Sequence, residues 1–404
     1  MTLARVLIFV VLASLASANV RAQKPDVAAF QVIEMPTGPK SLPGQLRIRA
    51  FGQTFHLRLA PNADLLGSLP AAQRAKVSRQ DLFLEGTLAG VAGSWVRLNR
   101  IAGKFSGGFF DGNELYLIDR AGSLPAALAA GAQADQTVLF RFADLDFGDL
   151  IDEGGITPGI KSGPIRTTVD YQTFVGHLRA IAVAKGSPLL ALPVTIVSDV
   201  QFTTIHGSNT TSVVAGRVNF VDGIYSSQLG TGIELLHHQI LTNNDVLVAT
   251  DASDLLGGEF DNSNNLVQPG FRQFMVSGAG SGIPFEGLAH LFTGRGLDGS
   301  TVGVAYVGVL CNRGFGYGVN ENRSSDTRSA LVFAHELGHN FGAPHDGERA
   351  CSDEQFSGIM NASLNGSEQF SNCSLDQMSQ RVARASCLVD DGRFIFSDDF
   401  ESDG

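Results

Sequence analysis

The sequence predicts an α/β (α+β) domain over residues 193–390, preceded by a β-rich domain over residues 23–150. Three observations carry that prediction. Short runs of alternating apolar and polar residues, separated by turn signals, fill the first part of the chain. From residue 193 onward, apolar strand-like runs alternate with helical periodicity, the pattern of a sheet covered by helices. A long helical stretch then carries two histidines four residues apart, His335 and His339, and runs into a glycine and a third histidine.

With 404 residues, 44% hydrophobic and 17% charged, the chain has a globular balance and room for more than one domain. A net charge of −11 and the absence of any basic stripe argue against nucleic acid or anionic lipid as partners. The first 22 residues have an early base at Arg5, an apolar run from Val6 to Leu15 and small residues at Ala16, Ala18 and Ala22. They read as a secretory signal peptide, residues 1–22, with cleavage after Ala18 or Ala22. No later run of eighteen apolar residues exists, so the expected product is secreted, with no integral membrane segment after signal removal. All four cysteines, Cys311, Cys351, Cys373 and Cys387, fall in the last quarter of the chain. An even count in an exported protein favours two disulfides, and no CxxC pair suggests a structural zinc site.

Taken in order, Leu46, Ile48 and Ala50 alternate, as do Phe55, Leu57 and Leu59, with a bend at Phe51-Gly52-Gln53 between them; this predicts a hairpin. Trp95–Leu98 and Phe105–Phe110 follow, then the turn Asp111-Gly112-Asn113 and Leu115, Leu117 and Asp119. A β-rich sandwich or roll is expected, with His56 an ordinary strand residue. Glycines and prolines then cluster, and residues 151–192 read as a linker or maturation region. That region holds a possible helix at Tyr171–Lys185 and the basic residues Lys161, Arg166 and Lys185 as sites for a processing protease.

The second domain opens with a strand at Val194–Val197. Val214, Val218, Val221 and Tyr225 then recur at helical spacing, predicting an amphipathic helix over residues 212–225. Ile233–Leu241 reads as a strand that sends His237 and His238 to opposite faces, unsuited to one metal. Leu288–Thr293 and Thr301–Val309 read as further strands, and Gly314–Gly318 as a loop without the residues of a phosphate-binding motif. Ser325 and Asp326 are candidate caps for a helix running to about Phe341. Residues 391–404 form an acidic tail.

The stretch His335–Asp346 reads HELGHNFGAPHD. On a helix, His335 and His339 project from one face about one turn apart. Gly342 can take the left-handed conformation that ends a helix, and His345 then arrives as a third nitrogen ligand. Three neutral ligands leave the fourth position of a tetrahedral zinc to water, the mark of a catalytic site. Glu336 stands beside the first ligand, placed to take that water's proton.

HExxHxxGxxH with a downstream methionine, here Met360, resembles the signature of the metzincin metalloproteases. The resemblance is nearest to the reprolysin, or ADAM-type (adamalysin), branch, through Asp346 directly after His345, LFTGRGLDGSTVGVAYVGVLC ending at Cys311, and FSNCS at Phe370–Ser374. It implies a metzincin-type catalytic domain over residues 193–390, a Met-turn at Met360 beneath the ligands, and disulfides Cys311–Cys387 and Cys351–Cys373. FHLRLAPNADLL and GGFFDGNELYLIDR resemble pieces of a reprolysin propeptide, which implies that residues 23–150 are a prodomain. This prodomain has no cysteine, so a thiolate switch is excluded. Calcium is not expected: Pro193 and Gly287 stand where the branch carries acids, leaving Glu286 offset and Asp390 as the one match.

The expected function is a secreted zinc metalloendopeptidase acting on proteins or peptides, with Glu336 as general base. By resemblance, Thr301–Gly308 forms the upper rim of the cleft, with Gly303, Val304 and Ala305 nearest the substrate. The alternative is a non-catalytic binding protein or adhesin on the same scaffold, a role that would not require Glu336.

Overall fold

The computed structural model describes residues 27–36, 44–146, 190–363 and 368–390. The expected signal peptide, the maturation region up to residue 189 with its helix at Tyr171–Lys185, and the acidic tail lie outside the described residues.

Alternation builds the first domain as one antiparallel sheet. Its elements are β1 (Phe30–Ile33), β2 (Gly44–Ala50), β3 (Gln53–Pro61), α1 (Ala71–Arg74), β4 (Leu82–Leu88), β5 (Trp95–Ile101), β6 (Lys104–Phe110), β7 (Leu115–Arg120), α2 (Pro125–Ala129) and β8 (Thr137–Arg141). The strand order β1-β8-β7-β6-β5-β4-β3-β2 is an up-and-down meander with β1 returned beside β8. The expected hairpin forms with Ala50 opposite Gln53, and Phe51 and Gly52 both take positive φ, 51° and 73°. That two-residue turn matches the twist of the strands it joins. Leu46, Ile48, Phe55 and Leu57 turn inward onto a cluster that also takes Phe109 and Leu139, so the domain is a single curled sheet, a roll and not a sandwich. His56 lies on the exposed side of β3.

The second domain contains β9 (Leu190–Ser198), α3 (Val200–His206), α4 (Thr210–Leu229), β10 (Thr231–Ile240), α5 (Ala252–Gly257), β11 (Glu259–Phe260), β12 (Leu266–Gln268), α6 (Phe271–Val276), β13 (Leu288–Thr293), β14 (Gly303–Ala305), β15 (Tyr317–Glu321), α7 (Asp326–Phe341), α8 (Asn372–Val382) and β16 (Val389–Asp390). Its main sheet runs β10-β9-β13-β15-β14, parallel except for β14, with β16 paired to the start of β9. Among the described residues no helix is long and apolar enough to cross a membrane.

Three expectations need correction. The expected strand Thr301–Val309 is a strand only at Gly303–Ala305, because Gly308 and Val309 turn their N–H groups to the carbonyls of His339 and Asn340 on α7. The expected loop Gly314–Gly318 gives its last two residues to β15, whose Gly318 lets the His290 ring pack where a Cβ would collide. The helix predicted over residues 212–225 spans Thr210–Leu229 and is not amphipathic, since every residue from Thr210 to Tyr225 is buried.

The cause of that burial is the first domain. Its sheet presents a second apolar face, with Trp95, Leu117 and Phe140 joining Val218, Phe220 and Ile224 of α4 in one core. The polar residues of α4 meet partners there instead of water. Asp222 Oδ2 accepts from Arg97 Nε at 2.9 Å and Nη2 at 2.8 Å, and Asn219 joins Asn62 and Asn99 at 2.9 and 2.8 Å. Both members of the Arg97–Asp222 pair are almost fully buried. Breaking such a pair leaves one charge without compensation in the interior. Asp222→Ala should therefore lower the unfolding free energy by about 3 kcal/mol or more. Chemical denaturation measures this, and a loss under about 1 kcal/mol would show that the pair does not hold the domains together.

Candidate metal centre

Helix α7 starts with Ser325 as its N-cap, whose hydroxyl oxygen accepts from the Arg328 N–H at 3.1 Å. A carboxylate from the first domain completes the cap. Asp119, on β7, accepts from the Ser325 hydroxyl at 2.6 Å and from the Thr327 hydroxyl at 3.1 Å. Burial raises the pKa of Asp119, the nearby Asp326 adds to the rise, and the hydroxyl and backbone donors oppose it.

Three turns later His335 and His339 leave the same face of α7. Gly342, at φ 108°, ends the helix, with its N–H donating to the His339 carbonyl at 2.8 Å. The Ala343 N–H donates to the Gly338 carbonyl at 3.0 Å, and the reversed chain delivers His345. Nitrogen atoms of the three imidazoles lie within 4.8 Å of one another, with ring centroids 4.9–5.3 Å apart. All three rings are buried.

The residues fit a zinc ion on the chemistry of their donors. His335 donates its Nδ1–H to the Ile359 carbonyl at 2.7 Å, and His339 donates its own to the Ala343 carbonyl at 2.8 Å. Each bond fixes the tautomer that leaves Nε2 with a lone pair, and it holds the ring plane. Nδ1 of His345 lies 3.5 Å from Glu348 Oε2.

Met360 is fully buried under α7, and a Cβ on Gly338 would overlap its sulfur. Asp346 ties this floor in place. Its N–H donates to the Met360 carbonyl at 3.0 Å, while its carboxylate accepts from Gly358 N–H at 2.7 Å and from the Ser371 hydroxyl at 2.6 Å. Ser371 is the N-cap of α8, so one carboxylate joins the Met360 turn to the next helix. The disulfides are Cys311–Cys387 and Cys351–Cys373, the second closing the loop that follows Asp346.

Glu336 is fully buried, and Gly303 of β14 lies so near that a Cβ there would overlap Glu336 Oε1. The structure thus brings together His335, His339, His345, Glu336, Met360 and Gly303. Val304 and Ala305 continue β14 and are also buried in the full-length chain. His237 and His238 stand apart from the centre: His237 meets Gln73, and His238 lies between Ser198 and Thr211.

Sequence reasoning missed His290, Asn320 and Asn340, which lock α7 to the sheet. Asn340 follows His339 directly. Its amide nitrogen donates to the carbonyls of Tyr306 at 2.8 Å and Tyr317 at 3.2 Å, so its oxygen accepts from His290 Nε2 at 2.7 Å. Burial pushes the His290 pKa down to about 4, which keeps the ring neutral and makes Nδ1 an acceptor. Asn320 must then present its amide nitrogen to Nδ1, the atom that otherwise has no acceptor among the described residues. One signal was available: a histidine inside the apolar run LAHLFT needs polar partners if it is buried.

Residues 192–373 match the family model described as Reprolysin_5, metallo-peptidase family M12. A stretch of 201 residues, 48% of the chain, is 32% identical to disintegrin and metalloproteinase domain-containing protein 9 of Homo sapiens. The chain spans 23% of that protein's length.

His238 and His290 give the fold a pH dependence. Burial lowers their pKa values to about 3 and about 4, below the value of 6.5 of an exposed ring. The unfolded chain takes up these protons first, so the stability is whole above pH 6.5 and falls as pH drops from there toward 4. Each ring contributes a slope of about 1.4 kcal/mol per pH unit within that window. His238→Gln should remove one such increment from urea-denaturation stabilities measured between pH 6 and 4.5, and an unchanged slope would refute the assignment.

Proposed function

Because residues 192–373 carry a reprolysin-type domain of metallopeptidase family M12, we propose that the chain is a secreted zinc endopeptidase made as a zymogen. The observation that supports this most directly is the convergence of three imidazoles, two of them tautomer-fixed, beside a buried carboxylate. His335, His339 and His345 would hold the zinc. When bound, the metal supplies Lewis acidity, polarising the scissile carbonyl and lowering the pKa of water.

The chain's own residues do the rest. Glu336 accepts a proton from the attacking water and returns it to the leaving amine. Gly303 leaves the carboxylate room to approach the scissile bond, which a side chain at this position would take away. Gly303, Val304 and Ala305 belong to the last strand of the sheet, paired to β15 on one side, and their other edge would receive an extended peptide by backbone hydrogen bonding. Activation would follow cleavage within residues 151–192, and no cysteine before Cys311 is available for a thiolate switch.

Glu336→Gln should reduce peptide hydrolysis by about 10²–10⁴-fold or more while metal analysis still finds one zinc per chain. Chelation should abolish wild-type activity and added zinc restore it. Glu336→Gln protein that cleaves within a few-fold of the wild-type rate would sink the mechanism.

A further inference from the structure

We infer that the first domain is a lasting subunit of the mature protein, held non-covalently on α4 after the chain is cut, and not a discarded propeptide. This rests on the reading above that cleavage falls between the two domains.

Helix α4 is built for two neighbours. One face carries Val214, Val218, Val221 and Tyr225, and the Tyr225 hydroxyl donates to the Ala334 carbonyl of α7 at 2.8 Å. The opposite face carries Gly216, Asn219, Phe220 and Gly223, which by helical spacing form a second stripe about half a turn away. Glycine is among the poorest helix formers. Both glycines stand where the first domain comes closest. A Cβ on Gly216 would lie 3.0 Å from Ile101 Cδ1, and one on Gly223 would lie 2.6 Å from Arg97 Cγ and 2.8 Å from the Trp95 ring. Between them the Phe220 ring meets Trp95 edge-on at 5.9 Å.

The polar groups of this seam are matched across it. Asn99 donates to the Gly216 carbonyl at 2.9 Å, Asn62 to Asn219 at 2.9 Å, and Arg97 to Asp222. Separation would wet an apolar stripe and take from each of these groups its partner across the seam. A surface of this kind, apolar and charge-matched, fits an obligate partner better than a transient one.

The grip is also placed away from the metal centre. On α7 it holds the first turn, through Asp119 to Ser325 and Thr327, and through Arg328 to the Asp146 carbonyl at 3.0 Å. His335 lies eight residues beyond Thr327, about 12 Å along the axis. The contacts on α7 therefore end short of the histidines, and a cut between the domains leaves this interface intact.

The test uses the full chain, in the Glu336→Gln background so that its outcome is independent of proteolysis. A site-specific protease recognition sequence is inserted between Gly154 and Gly155, the purified protein is cut, and native size-exclusion chromatography is followed by denaturing mass analysis. The fragments should co-elute at the position of the uncut chain. Two separate peaks, with the zinc-loaded C-terminal fragment soluble alone, would overturn the inference. Gly223→Ala sharpens the test, because alanine improves the helix taken by itself. The cut variant should separate about tenfold faster than the cut parent. Equal or slower separation would show that the close approach is not what holds the fragments. Asn99→Ala, which removes a side-chain donor without adding bulk, should also speed separation, and serves if the alanine at 223 prevents folding.

Discussion

Helix α7 has to stay at one height relative to its surroundings, and the control lies in its ends. A helix leaves four N–H and four carbonyl groups without partners, and here both ends are buried. At the start, Ser325 caps one N–H and is itself held by Asp119. At the finish, the Gly338 carbonyl is met by Ala343, that of His339 by Gly342 and Gly308, and that of Asn340 by Val309. The segment that leaves the edge strand β14 thus also caps the helix carrying His335 and His339. Strand, cap and histidine cluster share one set of backbone hydrogen bonds, so a shift of any one disturbs the others.

What could be read from the sequence was what is written locally. The hairpin around Phe51-Gly52 follows from period-two alternation and a turn of fixed length. Ser325 as a cap, the one-turn spacing of His335 and His339, and the reversal at Gly342 follow from helix geometry. The misreadings share a cause, a partner distant in sequence. Asn219 and Asp222 look like the wet side of a helix until Asn62, Asn99 and Arg97, more than a hundred residues earlier, are placed against them. Tyr317–Glu321 is buried in all five residues and shows no alternation, so it has no signature of a strand in isolation. The end of β14 at Ala305 depends on carbonyls thirty residues later.

Asp346 shows how a residue in a recognisable motif can carry a structural load. It stands beside His345, yet its carboxylate is spent on Gly358, Ser371 and Ser374. Those bonds set the height of Met360, which packs under Gly338 between His335 and His339. Positioning the floor from the same residue that follows His345 makes the histidine triangle and its support one unit, as a preorganised site requires.

The two halves of the molecule meet through charge as well as apolar packing. The N-terminal end of α7 carries the positive end of the helix dipole, and a buried anion there is favoured on the same grounds as a bound phosphate. Asp119 occupies that place from the other domain, its oxygens taken by Arg120 N–H, Ser123, Ser325 and Thr327. Burial alone would drive the proton back onto it, and these donors with the dipole work the other way. The first domain has no cysteine and so cannot reach the histidine cluster through sulfur. It is nonetheless coupled to that cluster, through the far end of the helix that carries His335 and His339.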